Sequence, residues 1–441
     1  MKTVPAAVLV IAAAMPPVLT AQSHPSHKPV THKTASASPA AVHASAIVID
    51  THADTTQRML DENYDLTEPL NGGYLNFASA KEGNLGAEFF SIWVEPTLYK
   101  GEYARRTLDL IDAVQRQAAK HPDKMMMAYS PGDIERAHRE HKLAALMGIE
   151  GGHSIEDSLG LLRDYYRLGV RYMTLTWSNS NDWADSSGDI NDEKVKHTHD
   201  GLTDFGKDVV YEMNRLGMMV DISHVADKTF YRAVITSRAP VFASHSSARA
   251  LTDAPRNMTD DMLRAVARSG GPNSKGGVVM VNFYSAFISD AWRKAWTAQA
   301  PERNAAEEKQ IAEWKAEGKT VTYAMTDGLD RQWAAKIPRP PLSMLIDHID
   351  HVAKVAGIDH VGLGSDFDGI PSSPEGMDSA ADLPKITAAL MARGYSAEDC
   401  RKILGGNFLR FFREVQATAK QLQKESPERP EIGKEQPFHK D

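Results

Sequence analysis

The sequence predicts an α/β fold, a (β/α)8 barrel with a helical insertion after its seventh strand. Two observations carry that expectation. Short, continuously apolar runs recur eight times, and most of the gaps between them hold longer amphipathic stretches. Apolar strands alternating with helices indicate a parallel sheet covered on both faces, and eight such strands suggest a closed barrel. An open doubly wound sheet is the alternative, but the G-x-G-x-x-G that would follow its first strand is missing.

Taken in order, residues 1–21 read as a secretory signal. Lys2 supplies the positive start, "AAVLVIAAAM" the apolar centre and Leu19-Thr20-Ala21 a cleavage site. The run is too short, and too broken by Pro16 and Pro17, for a stable membrane span. The mature protein is therefore expected to be exported, periplasmic or secreted. Residues 22–44 are rich in Ser, Ala, Pro and His without an apolar period, the composition of a flexible linker.

The barrel is placed at residues 45–417. Its strands are "AIVID" (46–50), "AEFFSIWV" (87–94), "LAALMGIE" (143–150), "RYMTLTW" (171–177), "MMVDISH" (218–224), "PVFASH" (240–245), "GVVMVNFY" (277–284) and "HVGLGSDFDG" (360–369). Helical patterns such as "YARRTLDLIDAVQRQAAKH" and "PLSMLIDHIDHVAKVAG" lie between them. The gap at about 286–341 is too long for a simple connection. Polar, Trp-bearing and closed by prolines, it reads as a helical insertion that either covers the pocket or stands apart as a surface hairpin. Residues 418–441 are a charged, Pro-containing tail, expected to begin as a fraying helix.

With 441 residues, 42% hydrophobic and 24% charged, the chain has room for one large α/β domain or two smaller ones. A net charge of −8 argues against a nucleic-acid binder, which usually shows a basic face. The single cysteine, Cys400, rules out an internal disulfide and a cysteine-rich metal site.

Reactive side chains of such barrels sit at the C-terminal ends of strands. The first run ends in "THAD", with His52 and Asp54; the third ends in Glu150, the fifth in His224 and the sixth in His245. The eighth offers Asp366 and Asp368 in "GSDFDG". Neutral imidazole and carboxylate are the ligands of borderline divalent metals such as zinc. Three histidines and two carboxylates exceed what one catalytic ion takes. They suit two ions about 3.5–4 Å apart with one carboxylate bridging.

Glu150 is the bridging candidate. A lone histidine at a strand end is ordinarily a hydrogen-bonded structural residue, and His153 reads that way. Several independent strand ends agreeing is different, since chance would scatter histidines over helices and loops. Asp366 is placed as the carboxylate that takes a proton from water and returns it to a leaving group; an extra ligand is its other reading. Asp368 is expected to cap the following turn.

At this point the chain resembles the membrane (renal) dipeptidase family, binuclear zinc barrels of the amidohydrolase superfamily. The stretches that carry the resemblance include "DTHAD", "GIEGGHSIEDSLGLL", "NRLGMMVDISH", "SRAPVFASHSSARAL", "PRNMTDDML", "HIDHVAKVAGIDHVGLGSDFDG" and "GGNFLRFF". They run in order from about residue 46 to 415. The resemblance implies that His52, Asp54 and Glu150 hold one zinc, and that Glu150, His224 and His245 hold the other. It makes Asp366 the proton shuttle and Arg256, in "PRNM", the anchor of the substrate's C-terminal carboxylate. A guanidinium suits that task through bidentate hydrogen bonding. It further implies a dipeptide substrate, with a D-residue tolerated at the C-terminal position, metal-activated hydroxide as nucleophile, and a homodimer.

One departure bears on the substrate. Where mammalian members carry a histidine that binds substrate, this chain has Trp177, whose indole offers one N–H donor and no metal affinity. His197 and His199 would stand in for it if their loop folds inward. Trp177 is thus expected at the substrate with altered specificity. It keeps open an amidase or lactonase acting on N-acyl amino acids or other small amides. A catalytically inactive metal-bound barrel is the third reading, and the presence of Asp366 beside all five ligands weighs against it.

Overall fold

The computed structural model describes residues 37–190 and 199–425. The signal expected at 1–21 lies outside them, as do His197 and most of the tail. Among the described residues nine strands form: β1 (Val48–Ala53), β2 (Leu85–Trp93), β3 (Met125–Met127), β4 (Leu143–Glu150), β5 (Val170–Thr174), β6 (Met219–Asp221), β7 (Phe242–Ala243), β8 (Val278–Val281) and β9 (Val361–Leu363). Every pairing among them is parallel, in the order β2-β1-β9-β8-β7-β6-β5-β4, and β2 also pairs with β4 along Ala87–Trp93 against Ala144–Glu150. That pairing closes an eight-stranded (β/α)8 barrel. The ninth strand, β3, stands outside the ring and pairs with Leu143–Ala145 alone. Three methionines are too short a run to show a period, so sequence patterning passes over it.

The ring strands are buried on both faces, and residues of alternate parity serve different cores. Ala87, Phe89, Ala144 and Leu146 join a cluster with Tyr172, Phe242 and Met280, closed by Phe408, Phe411 and Phe412 of the C-terminal helix. Their neighbours Phe90, Ile92, Ala145 and Met147 pack instead into the larger core shared with the surrounding helices. The Tyr103–Lys120 helix shows why those helices form. It buries Thr107, Leu110, Ile111, Val114 and Ala118, spaced three and four apart on one side.

Two boundaries differ from expectation. The expected 22–44 linker gives way to a helix at Pro39–Ala44, N-capped by the Ser38 side chain. Its last turn is anchored by His43, 2.8 Å from both the Thr387 hydroxyl and the Gly83 carbonyl. The polar composition concealed one residue with two partners. At the other end the Asn407–Glu425 helix continues past 417, because Ala419 and Leu422 still bury apolar surface.

The long insertion is helical, with segments Ser285–Ile288, Asp290–Ala298, Ala300–Ala316 and Tyr323–Ala334. It follows β8, the seventh strand of the ring, and encloses a small core of Ala286, Trp292, Ala334 and Ile337. The Ala300–Ala316 helix buries no residue, whereas the Tyr323–Ala334 helix reaches the barrel mouth. No helix among the described residues is long and apolar enough to cross a membrane.

Candidate metal centre

The strand ends deliver the expected ligands to one place. His52 is the penultimate residue of β1 and Asp54 the first after the strand, Glu150 closes β4, and His224, His245 and Asp366 follow β6, β7 and β9 within three residues. His224 and Asp366 both hold φ at 65°. A left-handed backbone is costly for a residue with a Cβ and concentrates at functional turns. Gly369 is required by the same crowding, since a Cβ there would stand 2.1 Å from Asp54 Oδ2 and 2.9 Å from Asp366 Oδ1.

Glu150 divides its two oxygens. Oε2 lies 3.3 Å from His52 Nε2, and Oε1 lies 2.8 Å from His224 Nε2 and 3.5 Å from His245 Nε2. His52 Nε2 also stands 3.4 Å from Asp54 Oδ2 and 3.9 Å from Asp366 Oδ1. The tightest ligand groupings are His52 with Glu150 and His245, and His52 with Asp54 and Asp366.

These residues fit a metal by three tests. His52 Nε2 and Asp54 Oδ1 are buried without a hydrogen-bond partner, an expensive arrangement unless something else satisfies them. The Nε2 atoms of His224 and His245 face each other at 3.0 Å. The donors are imidazole and carboxylate, the set that zinc-like ions take.

Electrostatics agree. Burial holds both His224 and His245 well below the ordinary imidazole pKa, helped by the Arg256 and His52 charges, so each presents a neutral ring. Burial pushes Glu150 up to about 7, with Asp54 and Asp366 adding to it and His52 opposing. Asp366 is likewise raised, by burial and then by Asp54. Burial works to lower His52, but Tyr172, Glu150 and Asp54 together raise it well above its usual value. Carboxylates crowded this way are strained as anions until cations join them.

Sequence patterning did not find the groups behind the ligands. His52 Nδ1 lies 2.8 Å from the Tyr172 hydroxyl, and His245 Nδ1 lies 2.7 Å from Ser244 Oγ, which is bonded in turn to Asp221. Asn282 Nδ2 donates to Asp366 Oδ2 at 2.8 Å. The available signal was a polar residue inside an apolar run, as in "MMVDISH" and "VVMVNFY".

Other expected residues fall in different places. Arg256 donates to Ser246 Oγ and to the His245 carbonyl, both at 3.0 Å, while its Nε is buried without a partner. Trp177 packs 6.3 Å from the His224 ring. His199 is turned to the Asn181 carbonyl at 2.9 Å and so binds its own loop. His153 is structural, bonded to the Val94 carbonyl. Asp368 does not cap its own turn. Its carboxylate reaches across to the Thr55 hydroxyl and the Tyr74 N–H, tying the loop after β9 to segments that follow β1.

The sequence profile of the membrane dipeptidase family, peptidase family M19, matches residues 37–426. The chain belongs to the membrane dipeptidase family. It is a metallo-dipeptidase. Dipeptidase tcpJ of Claviceps purpurea (strain 20.1) is 33% identical over 368 residues, covering 82% of this chain and 73% of that protein. The probable dipeptidase PvdM from Pseudomonas aeruginosa superposes with a TM-score of 0.68 at 26% identity, over 86% of this chain and 98% of that one. The metallopeptidase from Rhodobacter sphaeroides, solved with a phosphinate mimic of the dipeptide L-Ala-D-Ala, shares the fold. Its TM-score is 0.65 at 24% identity, over 84% of this chain and 100% of that one.

Proposed function

We propose that this member of the family is exported, holds two zinc ions at the barrel mouth, and cleaves dipeptides with an L- or D-residue at the C-terminal position. The observation that carries the metal count is the division at Glu150, one oxygen toward His52 and the other toward His224 and His245. His52, Asp54 and Glu150 would hold one ion, and Glu150, His224 and His245 the other. When bound, the ions polarise an amide carbonyl and bring the pKa of water toward neutrality.

The chain's own residues do the rest. Arg256 anchors the substrate carboxylate from beside His245, its guanidinium already oriented by two hydrogen bonds. Asp366 is steadied by Asn282 at Oδ2, which leaves Oδ1 on the His52 side to take a proton and hand it to the departing amine. Its raised pKa suits a group that must hold a proton between the two transfers. Trp177 borders the substrate beside His224. Export rests on the signal pattern of residues 1–21. Acceptance of a D-residue rests on the ligand of the Rhodobacter sphaeroides neighbour, and a homodimer on family resemblance.

The test is made on the chain after removal of residues 1–21. Two zinc ions per chain and chelator-sensitive cleavage of L,L- and L,D-dipeptides are expected. Asp366→Asn is expected to keep both ions and lose about 10²–10⁴-fold in turnover. Turnover on N-acyl amino acids alone would move the chain to the amidase reading, and an unimpaired Asp366→Asn enzyme would remove the shuttle.

A further inference from the structure

The last helix of the insertion, Tyr323–Ala334, presents one stripe to the barrel mouth, formed by Tyr323, Asp327 and Arg331 at spacings of four. Arg331 pairs with Asp327 at 2.5 Å and donates to the backbone carbonyls of Gly72 at 3.1 Å and Asp368 at 3.5 Å. Its guanidinium also stands 5.3 Å over the Tyr74 ring. This latch ties the helix to a segment following β1 and to the loop after β9.

The latch carries an aromatic ring to the site. Tyr323 meets Trp93 edge to face, with centroids 4.6 Å apart and planes at 73°. Trp93 also meets Trp177 at 4.7 Å, and Trp177 lies 6.3 Å from the ring of His224. Trp93 is only 3% exposed and forms the back of this corner. Tyr323 and Trp177 are half-buried flanks that keep surface open. Through Trp177 the corner adjoins His224 of the candidate ligand cluster.

The position around the ring gives the corner an occupant. Trp93 ends β2, the second strand of the barrel, and Arg256 follows β7, the sixth. Three ring strands lie between β2 and β7 in either direction, and Arg256 is bonded to the His245 carbonyl just after β7, so the two residues face each other across the mouth. A dipeptide with its carboxylate on Arg256 and its amide at the ligand cluster points its N-terminal residue at Trp93.

We propose that Tyr323, Trp93 and Trp177 form a subsite for the N-terminal side chain that selects dipeptides beginning with an aromatic residue. The proposal rests on the dipeptidase reading with Arg256 as carboxylate anchor. It gives Trp177 a task that a histidine could not perform, that of a broad apolar flank. It also gives the insertion one: without the Tyr323–Ala334 helix the corner has a back and a single side.

The experiment compares kcat/KM for Phe-Ala and Ala-Ala in the zinc-loaded enzyme and in Tyr323→Ala, Tyr323→Phe and Trp177→Leu. Alongside, calorimetry compares two phosphinate dipeptide mimics that differ only in a benzyl or a methyl group at the N-terminal side chain. The wild type is expected to favour Phe-Ala and the benzyl mimic. Tyr323→Ala is expected to cut both preference ratios about tenfold, mainly through KM. Tyr323→Phe should keep the ratios within twofold, and Trp177→Leu should lower them. A ratio that moves less than twofold in Tyr323→Ala, falls equally in Tyr323→Phe, or favours the methyl group in the wild type overturns the subsite. If the wild type cleaves neither dipeptide, the dipeptidase reading fails, and the affinity ratio still decides the subsite.

Discussion

Ser244 Oγ stands 2.7 Å from His245 Nδ1 and 2.6 Å from Asp221 Oδ2. An ionised carboxylate only accepts and a hydroxyl has one proton, so Ser244 donates to Asp221 and accepts from the imidazole N–H. That leaves the His245 Nε2 lone pair directed into the cluster. Tyr172 does the same for His52, accepting from Nδ1 and donating to the Thr51 carbonyl. Ser244→Ala removes this restraint on His245 without touching a ligand. It is expected to weaken metal binding about 10–100-fold, read by competition with a chromophoric chelator while circular dichroism stays unchanged. An affinity equal to wild type would show that the tautomer is set elsewhere. The five candidate ligands, which the structure gathers in one cluster, could be picked out because each stands at the end of an apolar run. Their supporters could not, because Asp221 and Tyr172 lie inside such runs, where a polar group looks like an interruption until the neighbouring strand is known.

At the level of elements, the eight ring strands were legible because fully buried parallel strands write continuous apolar runs. Their lengths were not: β7 is two residues long and its neighbours three and four. Backbone bridges such as Ala248 with Met258, together with side-chain bonds, hold the loops that leave these short strands. The loop after β7, which carries His245 and Arg256, is pinned by the Leu342–Ala356 helix, where His348 Nδ1 accepts the Ala248 N–H at 3.0 Å. Burial holds the His348 pKa down to about 4, against a hydrogen bond to Ile288 that raises it. An unfolded imidazole takes a proton near 6.5, so the unfolded chain binds protons first as pH falls. The stability that His348 contributes is therefore complete above about 6.5 and is lost progressively toward 4, by about 3 kcal/mol at most. Urea midpoints between pH 7.5 and 4.5 should fall less steeply in His348→Asn, which keeps an acceptor near the Nδ1 position but cannot titrate. Parallel slopes in the two proteins would exclude His348 as a source of acid lability.

Across the whole molecule, six ionisable side chains from five of the eight ring strands meet in one buried cluster. A polypeptide has no reason to gather mutually raised carboxylates and opposed imidazole nitrogens at the mouth of its barrel unless an external charge compensates them. The ions would then act as fasteners between strands, and folding stability must depend on free metal. A ligand that binds only the folded state stabilises by RT times the logarithm of one plus the ratio of free ligand to its Kd, about 1.4 kcal/mol per tenfold rise in free ion for each filled site. Two ions give about 2.7 kcal/mol per decade once both sites are filled. Unfolding free energies measured in zinc buffers, over a range where the folded protein is saturated, should therefore rise along the steeper line. Glu150→Gln removes the one carboxylate that faces both groups and should bring the slope toward that of a single ion or lower. A wild-type slope of one ion per chain would mean that the two oxygens of Glu150 serve one cation and a hydrogen bond, and the paired-ion centre would have to be given up.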